Sequence, residues 1–248
     1  MIMKTVKALA SIFIILSIIT TNTLPAFGAF DSDMNDNNIT FATIVFDGKT
    51  MTVPTIAQRN NENVLTTEST IGQTSIQDDS VTYFLPITEE ALAYNEALVN
   101  GIVGPGTSTE TFTEKGYMSI TSYIRYTISG GTMNGKYVND LFCLIDNVAI
   151  TKDRGPGTIG SPITGIGHPN IRVVCVGGRP EGGNYYGQDV TFEQVPWSIN
   201  GEDTPSSWRP VVRGAYSDQF RAFATFSVLL FDANVQAYTL EFTHSLAK

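Results

Sequence analysis

From Met118 onward the chain alternates with a period of two. Met118, Ile120, Ser122, Ile124, Tyr126 and Ile128 take the even positions, and Tyr117, Ser119, Thr121, Tyr123, Arg125, Thr127 and Ser129 the odd ones. Successive side chains of a strand point to opposite faces, so this pattern predicts a long strand with one face on a core and a hydroxyl-rich face toward water. Ala222, Ala224, Phe226, Val228 and Leu230 repeat the alternation near the end of the chain. There Tyr238, Leu240 and Phe242 oppose Thr239, Glu241 and Thr243. The stretch from Phe220 to Leu246 reads as two strands around a turn near Asp232 and Asn234, and is the expected partner of the Glu114–Gly131 strand.

Other patterns add strands at intervals. Thr40 to Phe46 and Thr50 to Pro54 flank Asp47-Gly48, and Asn134-Gly135 repeats that chemistry; both dipeptides suit the positive φ angles of a two-residue hairpin turn. Leu141 to Ile145 and Ile171 to Val176 are nearly continuous apolar runs, the signature of central strands covered on both faces. Val81 to Leu85, Val190 to Val195 and Trp208 to Tyr216 complete the set. One helix is expected, with Thr88 as its cap, Glu89 and Glu90 in its first turn and Gly101 as its stop; Ala91, Leu92, Leu98 and Val99 supply its apolar stripe. The fold class that follows is all-β, a mainly antiparallel β-sandwich with one short helix.

Residues 57–80 are polar without a sustained period and read as a linker or long surface loop. The expected organisation is therefore a leader over 1–28, an N-terminal hairpin with a polar linker over 29–80, and the main sandwich over 81–248. Lys4 and Lys7, the twelve-residue apolar run from Ala8 to Ile19, and Ala26-Phe27-Gly28 compose a secretory signal with cleavage before Ala29. That run is short of the roughly 20 residues needed to cross a bilayer, so export and release to the extracellular space are expected, without a stable membrane anchor. Removing the leader takes away two lysines and no acid, moving the formal charge from −9 to −11. Such a surface repels phosphate backbones, and no Lys/Arg cluster overrides it, which argues against a nucleic-acid partner.

Candidate chemistry is sparse. Asp31, Asp33 and Asn35 open with calcium-loop spacing, but Asp36 and Ala42 stand where such a loop needs Gly and Glu. Cys143 and Cys175, each inside an apolar run, are a disulfide candidate closing a loop of about 33 residues, worth about 3–4 kcal/mol in an oxidising compartment. Two cysteines and two histidines, His168 and His244, show no metal-ligand spacing, and no cofactor motif is present. Asp146, Asp153, Glu193, Glu202 and Asp203 are the acids from which a glycosidase-type pair would be drawn.

Tyr185, Tyr186, Trp197 and Trp208 fall within 24 residues among Gly, Asn, Gln, Asp and Ser. Aromatic planes beside small polar residues suit a sugar-binding face, and equally suit the core anchors of a sandwich. The functional expectation is a secreted, non-catalytic protein that binds glycan or protein or serves as an extracellular structural component. An extracellular hydrolase of polysaccharide or another polymer is the alternative. A pore-former is a third class, suggested by the Ser/Thr-rich alternation before Gly130-Gly131, where the pattern is expected to break.

Overall fold

A computed structural model describes residues 38–46, 49–60, 64–67, 74–86, 88–103, 112, 114–153, 163–179, 185–232 and 237–246. The segment expected as a leader, the Asp47-Gly48 dipeptide and the Asp31–Ala42 calcium-type pattern up to its last few positions lie outside these residues. The elements fully within the described residues are β1 (Asn38–Phe46), β2 (Lys49–Asn60), β3 (Val64–Thr67), β4 (Thr74–Pro86), α1 (Glu89–Val99), β5 (Tyr117–Met133), β6 (Lys136–Lys152), β7 (Ile163–Ile166), β8 (Asn170–Gly177), β9 (Tyr186–Phe192), β10 (Ser198–Asp203), β11 (Val211–Val212), β12 (Arg221–Asp232) and β13 (Ala237–Ser245). Every strand pairing is antiparallel.

The hydrogen-bonded path runs β10-β6-β5-β4-β2-β1-β13-β12-β8-β9. It folds over so that β4, β5 and β6 face β8, β12 and β13, making the sandwich. Side chains from both layers, among them Ile120, Ile124, Ile145, Val173, Phe226 and Leu240, share one core. The layers also meet at the opposite edge, where β11 pairs with β6 and Val212 bridges Gly178 at the end of β8.

The inward face of β5 holds as read, with Met118, Ile120, Ser122, Ile124 and Ile128 buried; the hydroxyl-rich face expected toward water is covered at Tyr117 and Thr121, which are buried too. Its partners differ from the expectation. β5 pairs with β4 and β6, whereas β13 pairs with β12 and β1. Alternation reports which face is buried and not which strand lies alongside, and β13 meets β5 across the core. β5 also does not break at Gly130-Gly131. It absorbs them with a register shift between Ser129 and Gly131, then turns through Asn134 (φ 51) and Gly135 (φ 75) into the equally long β6. Both central residues have the left-handed backbone of the expected primed turn.

The 57–80 stretch expected as a linker contains the end of β2, all of β3 and the first half of β4. β4 runs unbroken through Ser80, and the β1–β2 hairpin is hydrogen-bonded to β4 on one side and β13 on the other. Polar strands of this kind are held by backbone pairing to neighbours rather than by their own apolar content, which is why composition alone hid them.

Helix α1 lies on the outer face of the β2–β4–β5 layer. Thr88 caps it by accepting from the Ala91 amide at 3.2 Å, and Gly101 (φ 68) follows its end. Its buried face is Ala91, Asn95 and Leu98, set against Ile56, Phe84, Phe112 and Tyr117. Val99, expected in the stripe, is 46% exposed. The Tyr117 hydroxyl reaches the Ala91 carbonyl at 3.1 Å and the Asn95 side-chain oxygen, so the buried amide is satisfied.

Candidate functional site

A polar cluster occupies the core between the layers. Asp79, Ser122 and His244 sit at the inward parity of β4, β5 and β13, beside Val81, Ile124 and Phe242. Ser122 Oγ lies 2.9 Å from His244 Nδ1, and His244 Nε2 lies 3.4 Å from Asp79 Oδ2. Arg59 of β2 completes the group, its Nη1 3.2 Å from Asp79 Oδ2 and its Nη2 donating to the Ser245 carbonyl at 2.8 Å. The carboxylate favours the tautomer with the proton on Nε2, leaving Nδ1 to accept from the Ser122 hydroxyl.

The residue types are those of a nucleophilic triad, but Ser122 and His244 are buried side chains facing each other across two sheets. A nucleophile must be reached by its substrate, so the arrangement serves to tie the layers together. Burial holds the His244 imidazole below its ordinary value of 6.5, opposed by the neighbouring Asp79 carboxylate and reinforced by Arg59. A group whose folded pKa is depressed binds more protons when unfolded. Its stabilising contribution is therefore present above about pH 6.5 and is lost as pH falls through the folded value. The melting temperature is expected to fall between pH 7 and pH 5, and His244→Gln should flatten that slope; an equally steep slope in the variant would assign the acid sensitivity to other groups.

The bridge expected between Cys143 and Cys175 is not formed. Both are free, buried thiols on β6 and β8, which belong to different layers. Desolvation pushes Cys175 up to about 11, and pushes Cys143 well above its ordinary value, with Cys175 adding to that. Both act as small apolar packing groups, inert as nucleophiles. His168 is exposed in the turn before β8, its Nδ1 3.3 Å from the Val195 carbonyl oxygen. Among the described residues no group of three or more His, Cys, Asp or Glu side chains converges as a metal would require.

The acids separate. Asp153 sits beside Ser119 at the end of β6, and Glu193 is exposed after β9. Asp146 and Asp203 come together on the outer face, where β10 pairs with β6. Asn147 donates to Asp203 at 2.9 Å, and the Thr127 hydroxyl donates to Asp146 at 2.5 Å. Asp146 is held above the usual carboxylate range, first by desolvation and, with Thr127 and Arg125 opposing, also by the charge of Asp203.

The four aromatic candidates divide into a group and an outlier. Tyr186 pairs with Gly177 at one end of β8, while Phe192 pairs with Ile171 at the other. Trp197 follows that second end and donates from its indole to the Gly167 carbonyl at 3.2 Å. Six residues of strand, about 20 Å, separate the two ends. Lys152 lies 5.1 Å above the Trp197 ring, which packs on the core as an anchor.

Trp208 belongs with the tyrosines. Gln188, two residues along β9 from Tyr186 and on the same side, donates to the Arg209 carbonyl at 2.8 Å and accepts from the Arg209 amide. This two-way clamp fixes the Trp208-Arg209 segment beside β9. The Gly178–Val212 bridge closes the other side, one residue before Arg179 and three after Arg209. Both arginines thus lie within about 10 Å of the bridge along the chain. Arg179 sits 4.7 Å above the Tyr186 ring. Tyr186 and Trp208 are half-buried against the core, and Tyr185 is 56% exposed.

No protein-family model matches the chain, and comparison with curated proteins and with solved structures finds no match either. The fold defines an antiparallel β-sandwich with helix α1 on one outer face, and its chemistry has to be read from its own residues.

Proposed function

We propose that the chain is an exported binding module whose ligand, a glycan or a protein, seats at the Gly177 end of β8 and β9. The carrying observation is the Gln188 clamp, which holds Trp208 and Arg209 against the strand that bears Tyr186 and leaves Tyr185 and Arg179 facing solvent. Exposed aromatic and Arg side chains on a segment fixed by hydrogen bonds need little ordering on association, and such residues dominate binding energetics. The leader and the acidic balance support delivery to the extracellular space.

The mature chain, Ala29 to Lys248, screened against glycans and cell-wall polymers, should bind at least one. Tyr185→Ala should weaken that binding by about tenfold or more with no change in melting temperature, since the side chain is mostly exposed. Tyr186→Ala and Trp208→Ala should weaken it too, at some cost in stability. Binding untouched by all three substitutions would place the ligand elsewhere.

A hydrolase is the second reading, favoured by Asp146 alone: a carboxyl held above its ordinary range beside a second carboxylate is the asymmetry that acid/base work on a glycosidic bond requires. Release of reducing ends from a polymer, abolished by Asp146→Asn, would establish it.

A further inference from the structure

We propose that the ligand of the Gly177-end site is an acidic polysaccharide, bound through carboxylate or sulfate groups by Arg179 and Arg209. This deepens the binding reading and rests on it. A neutral sugar needs a bare ring face on which its C–H groups can stack. At Tyr186 one face is already covered by the Arg179 guanidinium at 4.7 Å, so what that position presents to a ligand is a cation. Trp208 is packed on the core, and the residue after it is the exposed Arg209, whose backbone is clamped by Gln188. Tyr185 supplies the exposed ring beside them.

The two arginines differ from their neighbours. Arg172 is paired with Asp189 and Arg213 with Asp140, and among the described residues neither Arg179 nor Arg209 has an ion-pair partner. A guanidinium held over a ring still carries N–H donors of the kind that receive a carboxylate or sulfate in two parallel hydrogen bonds. The protein's net negative charge does not cancel this. At physiological salt the Debye length is about 8 Å, so charges beyond that distance are largely screened from the site.

One exposed Arg–carboxylate contact contributes little by itself, so a monosaccharide should bind poorly and a chain of repeated acids should bind by engaging both arginines at once. Binding of the mature chain is therefore measured to polygalacturonate, to the same polymer as its fully methyl-esterified, uncharged form, and to a sulfated glucan, at low and high NaCl. The expected result is at least tenfold tighter binding to polygalacturonate or the sulfated glucan than to the ester. It should weaken with salt and fall tenfold or more in Arg179→Gln/Arg209→Gln, with melting temperature unchanged. Preference between the two charged polymers identifies the acid. Equal binding to the ester, still lost in Tyr185→Ala, would overturn the acidic-ligand inference while leaving the binding reading standing. Failure to bind any polymer, charged or neutral, at either salt concentration would overturn the acidic-ligand inference and, with it, the glycan form of the binding reading.

Discussion

Asp79→Ala is expected to cost the fold about 3–5 kcal/mol, the penalty for leaving a buried charge without its partner. Arg59 reaches Asp79 at 3.2 Å, and His244 lies at 3.4 Å from the same oxygen, with both neighbours largely or wholly withdrawn from water. Alanine removes the anion and leaves the Arg59 guanidinium facing a buried imidazole. Arg59 keeps its bond to the Ser245 carbonyl, so it cannot leave without giving up a tie between β2 and β13. Replacing the network as a whole should behave differently. Arg59→Leu/Asp79→Leu/His244→Phe removes every group that needs a partner and should recover most of the loss, because an apolar set of similar volume carries no desolvation cost. Urea unfolding of the two variants checks this. A loss below 1 kcal/mol for Asp79→Ala would mean that solvent reaches the cluster, contrary to the burial described.

Phe226→Ala carries the second large effect, about 3–5 kcal/mol, typical of deleting a fully buried ring. Phe226 sits at the centre of β12 with its ring 5.2 Å from that of Phe242 and nearly parallel to it, and Phe242 in turn lies 4.4 Å from Tyr83 in the opposite layer. The cavity would open between the layers, beside the Tyr83 hydroxyl that donates across them to the Thr243 carbonyl at 3.1 Å. The same substitution at Phe223, on the half-exposed side of β12, should cost far less. Similar losses at both positions would contradict the assignment of the inward face.

Much of this architecture is written in parity. The even positions of β5 and of β12 mark the core, and the Asn134-Gly135 turn falls where a two-residue connection joins β5 to β6. Lateral neighbours are another matter, because β5 and β13 share hydrophobic faces across a core and not backbone bonds. β3 and the first half of β4 were concealed since Ser, Thr, Gln and Asp contribute little burial, and their place depends on pairing, β3 with β4 and β4 with β5.

The buried cluster left a signal that composition does not carry. Ser122 interrupts the apolar face of β5 between Ile120 and Ile124, His244 extends the apolar parity of Leu240 and Phe242, and Asp79 shares the parity of Val81, Tyr83 and Leu85. A polar residue at core parity must find a partner, and three such residues in strands that meet across one core find each other. At the proposed binding site, the aromatic cluster was visible as a run of rings, but spacing could not separate Trp197 from the rest. That separation follows from the antiparallel β8–β9 pairing, which sends the two ends of the run to opposite ends of the sandwich. Nor could spacing show the cation seated on Tyr186.

The central claim is that the chain works by holding a ligand at the Gly177 end of β8 and β9. Amide hydrogen exchange of the mature protein, with and without the polymer it binds best, tests this most directly. Slowed exchange confined to residues 177–179, 185–188 and 207–213 is the predicted result. Protection elsewhere, above all along Asp146 and Asp203 on the opposite layer, with no change in these segments, would contradict it.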